Sequence, residues 1–175
     1  VIVMAIQLGL KLDQIQRSLT EFLGVKRRQE VLGEPGGVLL IEDFAHHPTA
    51  VRETIKGIHA KYQGRKVFSV FEPRSATSRR KVFQKDYVEA FKNAHEVILA
   101  EAFDQSKIDA ENRFSSGELV DDLKNHQVTA HVFSGADQIV QYLKSQAKPG
   151  DAVLIMSNGG FDGIYGKLTS ALQQN

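Results

Sequence analysis

Two short stretches carry the side chains best suited to chemistry, Phe71-Glu72-Pro73-Arg74-Ser75 and Met156-Ser157-Asn158-Gly159-Gly160-Phe161. A guanidinium after a proline-fixed turn is shaped for bidentate recognition of a carboxylate or phosphate, and Ser75 could add a hydroxyl contact. The alternative use of such an arginine is a surface ion pair, which stabilises little. The second stretch exposes backbone donors and lets a ligand approach closely, but it is neither the G-x-G-x-x-G fingerprint nor a P-loop, and a turn chosen only for packing would read the same way. A third stretch, Glu42-Asp43-Phe44-Ala45-His46-His47-Pro48, offers a carboxylate able to accept ribose hydroxyls and an imidazole able to pack on or bond to a base. Asp43 could equally cap the following helix, with the histidines as half-exposed loop residues. The two adjacent histidines point apart and no third ligand is evident, so no metal site is assigned.

Each of these stretches directly follows an apolar run, which places its polar groups at the end of a buried strand. In an open parallel sheet that is where loops converge and helix N-termini offer free donors. The surrounding pattern supports such a sheet. Residues 28–33 and 38–44 read as two strands separated by Glu34-Pro35-Gly36-Gly37, which has tight-turn chemistry. From Val38 onward, strands at 38–41, 67–71, 97–100, 129–133 and 153–156 alternate with amphipathic helices. Pro48 suits the first turn of the first of these helices. The alternation predicts an α/β, Rossmann-like, mostly parallel sheet with helices on both faces and one antiparallel strand from an N-terminal hairpin. Residues 101–117 show no periodicity and are long for a connection, which signals a functional loop or local disorder.

Ahead of the sheet, Leu12, Ile15, Leu19 and Phe22 form a helical stripe with a capping box expected at Asp13 and Gln16, ending near Gly24. Val1 to Ile6 is too short to span a bilayer and lacks the features of a secretory signal. It reads as part of a packed helix, the tail of a preceding domain, with the boundary near residues 24 to 28.

The chain of 175 residues is long enough for one well-cored domain, and a formal net charge of +1 leaves no global basic field. Nucleic acid is therefore not favoured as a partner, despite Lys26-Arg27-Arg28 and Arg79-Arg80-Lys81. The second cluster reads most simply as a solvated first helical turn, poorly placed for the helix dipole and so a weak hint of an anionic ligand. With no cysteine, disulfides, thiolate nucleophiles and thiolate-bound zinc are excluded, which fits a reducing compartment. No G-x-x-x-x-G-K-[ST] sequence occurs, so ATP chemistry would need another domain.

Together, Gly24-Val25-Lys26-Arg27-Arg28-Gln29-Glu30 and the three stretches above resemble, in order and spacing, the carboxy-terminal domain of the Mur ligases. Within that family the motifs are most similar to the murein peptide ligase branch, although Ala76 and Ser78 replace an expected Asn and Met. The resemblance implies a cytoplasmic ATP-dependent ligase that joins UDP-N-acetylmuramate to L-alanyl-γ-D-glutamyl-meso-diaminopimelate through an acyl phosphate, in cell-wall peptide recycling. It further implies that residues 1–24 are the last helix of a central domain holding ATP and Mg2+, and that residues 25–175 form the peptide-binding domain. Arg28, Asp43 and His46 would then contact the nucleotide, and Arg74, Ser75, Ser157 and Asn158 the incoming peptide. Two other readings stay open, an L-alanine acceptor in the same enzyme class and a free-standing, non-catalytic Rossmann-like binding module.

Overall fold

The computed structural model describes residues 1–173, so the last two residues of the expected domain lie outside the described residues. Six strands form one sheet in the order β1-β2-β6-β3-β4-β5. They are β1 (Glu30–Gly33), β2 (Leu39–Asp43), β3 (Val67–Phe71), β4 (Glu96–Ala100), β5 (Thr129–Phe133) and β6 (Ala152–Met156). β1 pairs antiparallel with β2 and every other pairing is parallel, the arrangement expected from the alternating pattern. The turn joining β1 to β2 depends on Gly36, whose φ of +58° is left-handed and whose position leaves no room for a Cβ beneath the Leu172 carbonyl.

Continuous apolar runs become buried strands because both faces of the sheet are covered. Successive side chains alternate sides, so Leu39, Ile41, Val67, Phe71, Val97 and Leu99 enter one core while Leu40, Phe68, Val70 and Ile98 enter the other. The first core is closed by α3 (Pro48–Lys61), α4 (Gln84–Phe91) and α5 (Ser116–Asn125), through residues such as Ile55, Tyr87 and Leu119. The second is closed by α6 (Ala136–Gln146) and α7 (Ile164–Gln173), through Ile139, Leu143, Ile164 and Leu168.

At the amino end, α1 (Ile2–Gln7) and α2 (Leu12–Glu21) form where the pattern predicts helices, and the packing expected for the first is not seen among the described residues. α1 buries none of its residues and α2 buries only Ile15, because their apolar faces find no facing surface among the described residues. The start of α2 also differs. The Lys11 amide donates to Gln14 Oε1 at 3.0 Å, whereas Asp13 lies in the first turn and pairs weakly with Arg17 at 3.7 Å.

The 101–117 segment is ordered rather than disordered. Ile108 and Phe114 are buried beneath it, and the Gln105 side-chain amide donates to the carbonyls of Arg79 and Phe114. The Arg79 guanidinium donates to the carbonyls of Phe103 and Asp104, so Arg79 staples this loop, while Arg80 and Lys81 stay exposed at the start of the next turn. α4 starts only at Gln84, after a single 3-10 turn at Lys81–Phe83.

Candidate functional site

The strand order brings the three polar stretches together. β6 lies between β2 and β3, and its last residue, Met156, is in register with both Asp43 and Phe71. The loops that leave these strands therefore emerge side by side, at the point where crossovers change direction and ligand crevices form. Backbone bonds tie their roots: Glu72 N–H donates to the Met156 carbonyl at 3.1 Å and Ser157 N–H to the Asp43 carbonyl at 3.2 Å.

Arg74 stands at the centre of this edge. Its Nη1 donates to Glu72 Oε1 at 3.1 Å, and its guanidinium lies 3.7 Å from the Phe103 ring centroid. The other Glu72 oxygen accepts the Ser157 hydroxyl at 2.5 Å, and Ser157 Oγ in turn accepts the Gly159 amide at 2.9 Å. Glu72 is almost fully buried, so its charge requires these partners. Gly159 passes directly against Arg74: a Cβ there would lie 3.0 Å from Arg74 Cζ and closer still to Cδ and Nε. One face and one edge of the guanidinium are thus fixed. In the same loop, the Asn158 side-chain oxygen is enclosed without a hydrogen-bond partner among the described residues. A fixed guanidinium that remains partly exposed can receive a carboxylate.

The other two residues assigned to this site by their motifs are placed differently. Ser75 turns its hydroxyl inward, bonding Ser78 Oγ at 2.8 Å and accepting the Ser78 amide at 2.9 Å, which closes the turn after Arg74. Ser157 is fully buried, and its hydroxyl serves Glu72. Arg74 is therefore the member that keeps part of its side chain in water, with Ser75 and, through Glu72, Ser157 behind it.

On the β2 side, Asp43 does not cap α3; His47 does, its Nδ1 accepting the Thr49 amide at 3.3 Å. Asp43 is 3% exposed and accepts the Ala45 amide at 2.7 Å, the Gln29 amide at 2.9 Å and, at 3.4 Å, the Thr54 hydroxyl. It shapes the loop that presents Phe44 and His46. His46 Nδ1 contacts the Phe44 carbonyl at 2.9 Å and its ring meets Phe44 edge-on at 5.4 Å. The Arg28 guanidinium is exposed, 5.4 Å from the same Phe44 ring, with no carboxylate paired to it among the described residues. Next to it opens a cleft of about 730 Å³, whose lining includes Lys26, Arg28, Glu30 and Lys61. Three cations against one carboxylate suit an anionic ligand.

Three participants carried no functional signal in the sequence reading. Glu72 sits inside the Arg74 motif and could have been noticed as its neighbour. Phe103 lies in the loop without periodicity. Arg27 reads as one of three consecutive cations, yet its Nε donates to Glu42 Oε1 at 2.5 Å and its Nη2 to the carbonyls of Ser157 and Gly159, each at 2.9 Å. Burial works to lower the Arg27 pKa, and the Glu42 carboxylate more than offsets it, holding the guanidinium above its ordinary value. The Tyr165 hydroxyl is enclosed beside this pair. Burial, reinforced by Glu42 and opposed by Arg27, pushes its pKa up, so it stays neutral. Among the described residues no group of three His, Asp or Glu side chains is placed to hold a metal ion, and no helix is long and apolar enough to cross a membrane.

A mostly parallel sheet with this edge defines a class. Residues 27–159 match the family model for the Mur ligase glutamate ligase domain, and the chain belongs to that family. Two curated relatives from different branches of the class match it about equally. The chain is 32% identical over 158 residues to UDP-N-acetylmuramate–L-alanine ligase of Desulfitobacterium hafniense, covering 90% of this chain and 35% of that protein. It is 33% identical over 156 residues to UDP-N-acetylmuramate–L-alanyl-γ-D-glutamyl-meso-2,6-diaminoheptandioate ligase of Escherichia coli, covering 89% and 32%. Among solved structures, murein peptide ligase from Psychrobacter arcticus superimposes with a TM-score of 0.74 at 32% identity, covering 91% of this chain and 32% of that one. The chain thus spans about a third of the length of these relatives.

Proposed function

We propose that this chain is the carboxy-terminal domain of a cytoplasmic, ATP-dependent ligase that joins UDP-N-acetylmuramate to L-alanyl-γ-D-glutamyl-meso-diaminopimelate during cell-wall peptide recycling. The observation that carries the reading is Arg74, pinned by Glu72, Phe103 and Gly159 and still partly exposed at the strand ends. Arg74 binds a carboxylate of the acceptor and Asn158 orients it, so that the acceptor amine is held toward the activated carbonyl. Such positioning removes much of the entropic barrier to a two-substrate reaction. Ser75 and Ser157 support these two residues from within.

On the other side of the edge, Arg28 neutralises nucleotide phosphates, adding electrostatic stabilisation. His46 and Phe44 offer ring edges to the base. Asp43 contributes to the ribose site chiefly by holding the Phe44–His46 loop, and through any acceptor capacity its three present partners leave. ATP, with Mg2+, supplies the phosphoryl group that activates the UDP-N-acetylmuramate carboxylate as an acyl phosphate; both are assigned mainly to a central domain of the same polypeptide, since this chain lacks a P-loop. Closure of the present domain over that site excludes water from the reactive carbonyl. The isolated chain is accordingly inactive.

A second acceptor, L-alanine, is favoured by the 32% identity to the Desulfitobacterium L-alanine ligase. Assaying the full-length ligase with each acceptor at equal concentration separates the two. Release of ADP that depends on the tripeptide supports the first reading; release that depends on L-alanine alone selects the second. ATP-independent ligand binding by this chain, with no ligase activity in the full-length protein, would refute both.

A further inference from the structure

Resting on the acceptor role proposed above for Arg74, we propose that Arg27 is a positioning residue for that site: its guanidinium clamps the 157–160 loop and thereby sets where Arg74 stands. The Arg27 side chain bridges 130 positions of sequence, from the linker before β1 to the loop after β6. Its Nε meets Glu42 while Nη2 meets the Ser157 and Gly159 carbonyls, a fork that only a planar guanidinium provides. The Phe44 ring lies 4.9 Å from Cζ and covers one face.

The backbone is committed to the same geometry. Arg27 and Gln29 both stand in the left-handed region, at φ +59° and +48°, conformations that non-glycine residues keep only when their surroundings enforce them. The Arg27 amide donates to Glu30 Oε2 at 2.6 Å and its carbonyl accepts the Phe44 amide at 2.8 Å, so both ends of the residue are anchored.

Two of the three contacts that fix Arg74 depend on the loop held by this clamp, the third being the Phe103 ring. Ser157 holds Glu72, the carboxylate partner of Arg74, and Gly159 packs against the Arg74 side chain itself. Releasing the two carbonyls frees Gly159 to move away and lets the guanidinium swing. Arg27 also precedes Arg28 in the linker, so a backbone change on the nucleotide side is transmitted to the acceptor side through one residue. Arg27 touches no reacting atom; it acts through Arg74.

The test uses the full-length ligase. Arg27→Lys keeps a cation opposite Glu42 and so protects folding, but it lacks the fork that reaches both carbonyls. The KM for the acceptor should rise about tenfold, with kcat and the KM for ATP changed by less than about twofold, since two charge-assisted hydrogen bonds are lost on the acceptor side only. In an Arg74→Ala background the same substitution should add nothing to acceptor KM, because its target is already gone, whereas general structural damage would add independently. An unchanged acceptor KM in Arg27→Lys, or an undiminished effect in the Arg74→Ala background, overturns the clamp while leaving the acceptor role of Arg74 intact. If Arg74→Ala itself leaves acceptor KM unchanged, the acceptor role fails first and the clamp falls with it.

Discussion

Replacing Gly159 by alanine displaces Arg74 and should change both stability and acceptor binding by amounts that follow from the geometry. Gly159 does not occupy the left-handed region, so its backbone accepts a side chain. The new methyl would collide with Arg74 Cδ, Nε and Cζ, the far part of a flexible side chain, which can move away without disturbing the core. Folding then loses the stacking on Phe103, worth about 0.5–1 kcal/mol at an exposed site. It also loses the Glu72 pair, and because Glu72 is almost fully buried this costs more than an exposed pair, about 1–3 kcal/mol. Against this, a glycine-to-alanine change at a compatible position returns about 0.4–1 kcal/mol by restricting the unfolded chain. The net loss of unfolding free energy is about 0.5–3.5 kcal/mol. Acceptor binding falls as well, because a displaced guanidinium forfeits charge-assisted bonds worth about 1.5–3 kcal/mol, roughly a ten- to hundredfold rise in KM. Urea unfolding and initial rates over a range of acceptor concentrations measure the two effects. Gly160→Ala is the control, since a Cβ there has nothing within 4 Å. A normal acceptor KM in Gly159→Ala, or an equal defect in Gly160→Ala, would refute the reasoning.

Phe103→Leu should raise acceptor KM by roughly threefold by removing the ring under Arg74, and Phe103→Trp should restore it; equal behaviour of the two variants would show that the ring does not act on the cation. Arg28→Ala should raise the KM for ATP by about tenfold or more with little change for the acceptor, and the opposite pattern would remove Arg28 from the nucleotide side. His59 stacks on His95 with centroids 4.1 Å apart, and its Nε2 has no hydrogen-bond partner among the described residues. Burial, then the neighbouring His95, lowers its pKa from 6.5. As pH falls below 6.5 the unfolded chain takes up this proton first, so stability is unaffected above that value and declines below it until the folded pKa is passed. His59→Phe should flatten the fall in urea midpoint between about pH 7 and 5; an unchanged slope would assign the pH dependence elsewhere.

Much of the sheet is legible because its strands are short, mostly apolar runs, from Val67 to Phe71 and Ala152 to Met156, bounded by turn residues. Their order is not. That β6 inserts between β2 and β3 follows from how helices pack on two faces, and only this insertion makes the Asp43, Phe71 and Met156 ends neighbours. Within the site, Arg74 and Asn158 announce themselves through proline and glycine chemistry next to a strand end. The inward turn of Ser75 and Ser157 was hidden, since a hydroxyl serves a backbone amide, a buried carboxylate or a ligand with the same residue type. Arg27 and Arg28 are adjacent and chemically identical, yet one is locked into Glu42 and two carbonyls while the other lies free on the surface. The left-handed turn at Arg27 and Gln29 makes that difference, and no local pattern reveals it. Arg79 was misread for a related reason: its partners are carbonyls of a loop some 25 residues away, which carry no side-chain signature.

Arg74→Ala in the full-length ligase, assayed by ADP release against tripeptide concentration at saturating ATP, interrogates the acceptor site itself. Loss of a bidentate carboxylate contact should lower kcat/KM for the tripeptide by about a hundredfold or more, with the KM for ATP unchanged. A tripeptide kcat/KM within about threefold of the parent enzyme would show that the guanidinium beside Gly159 does not receive the acceptor.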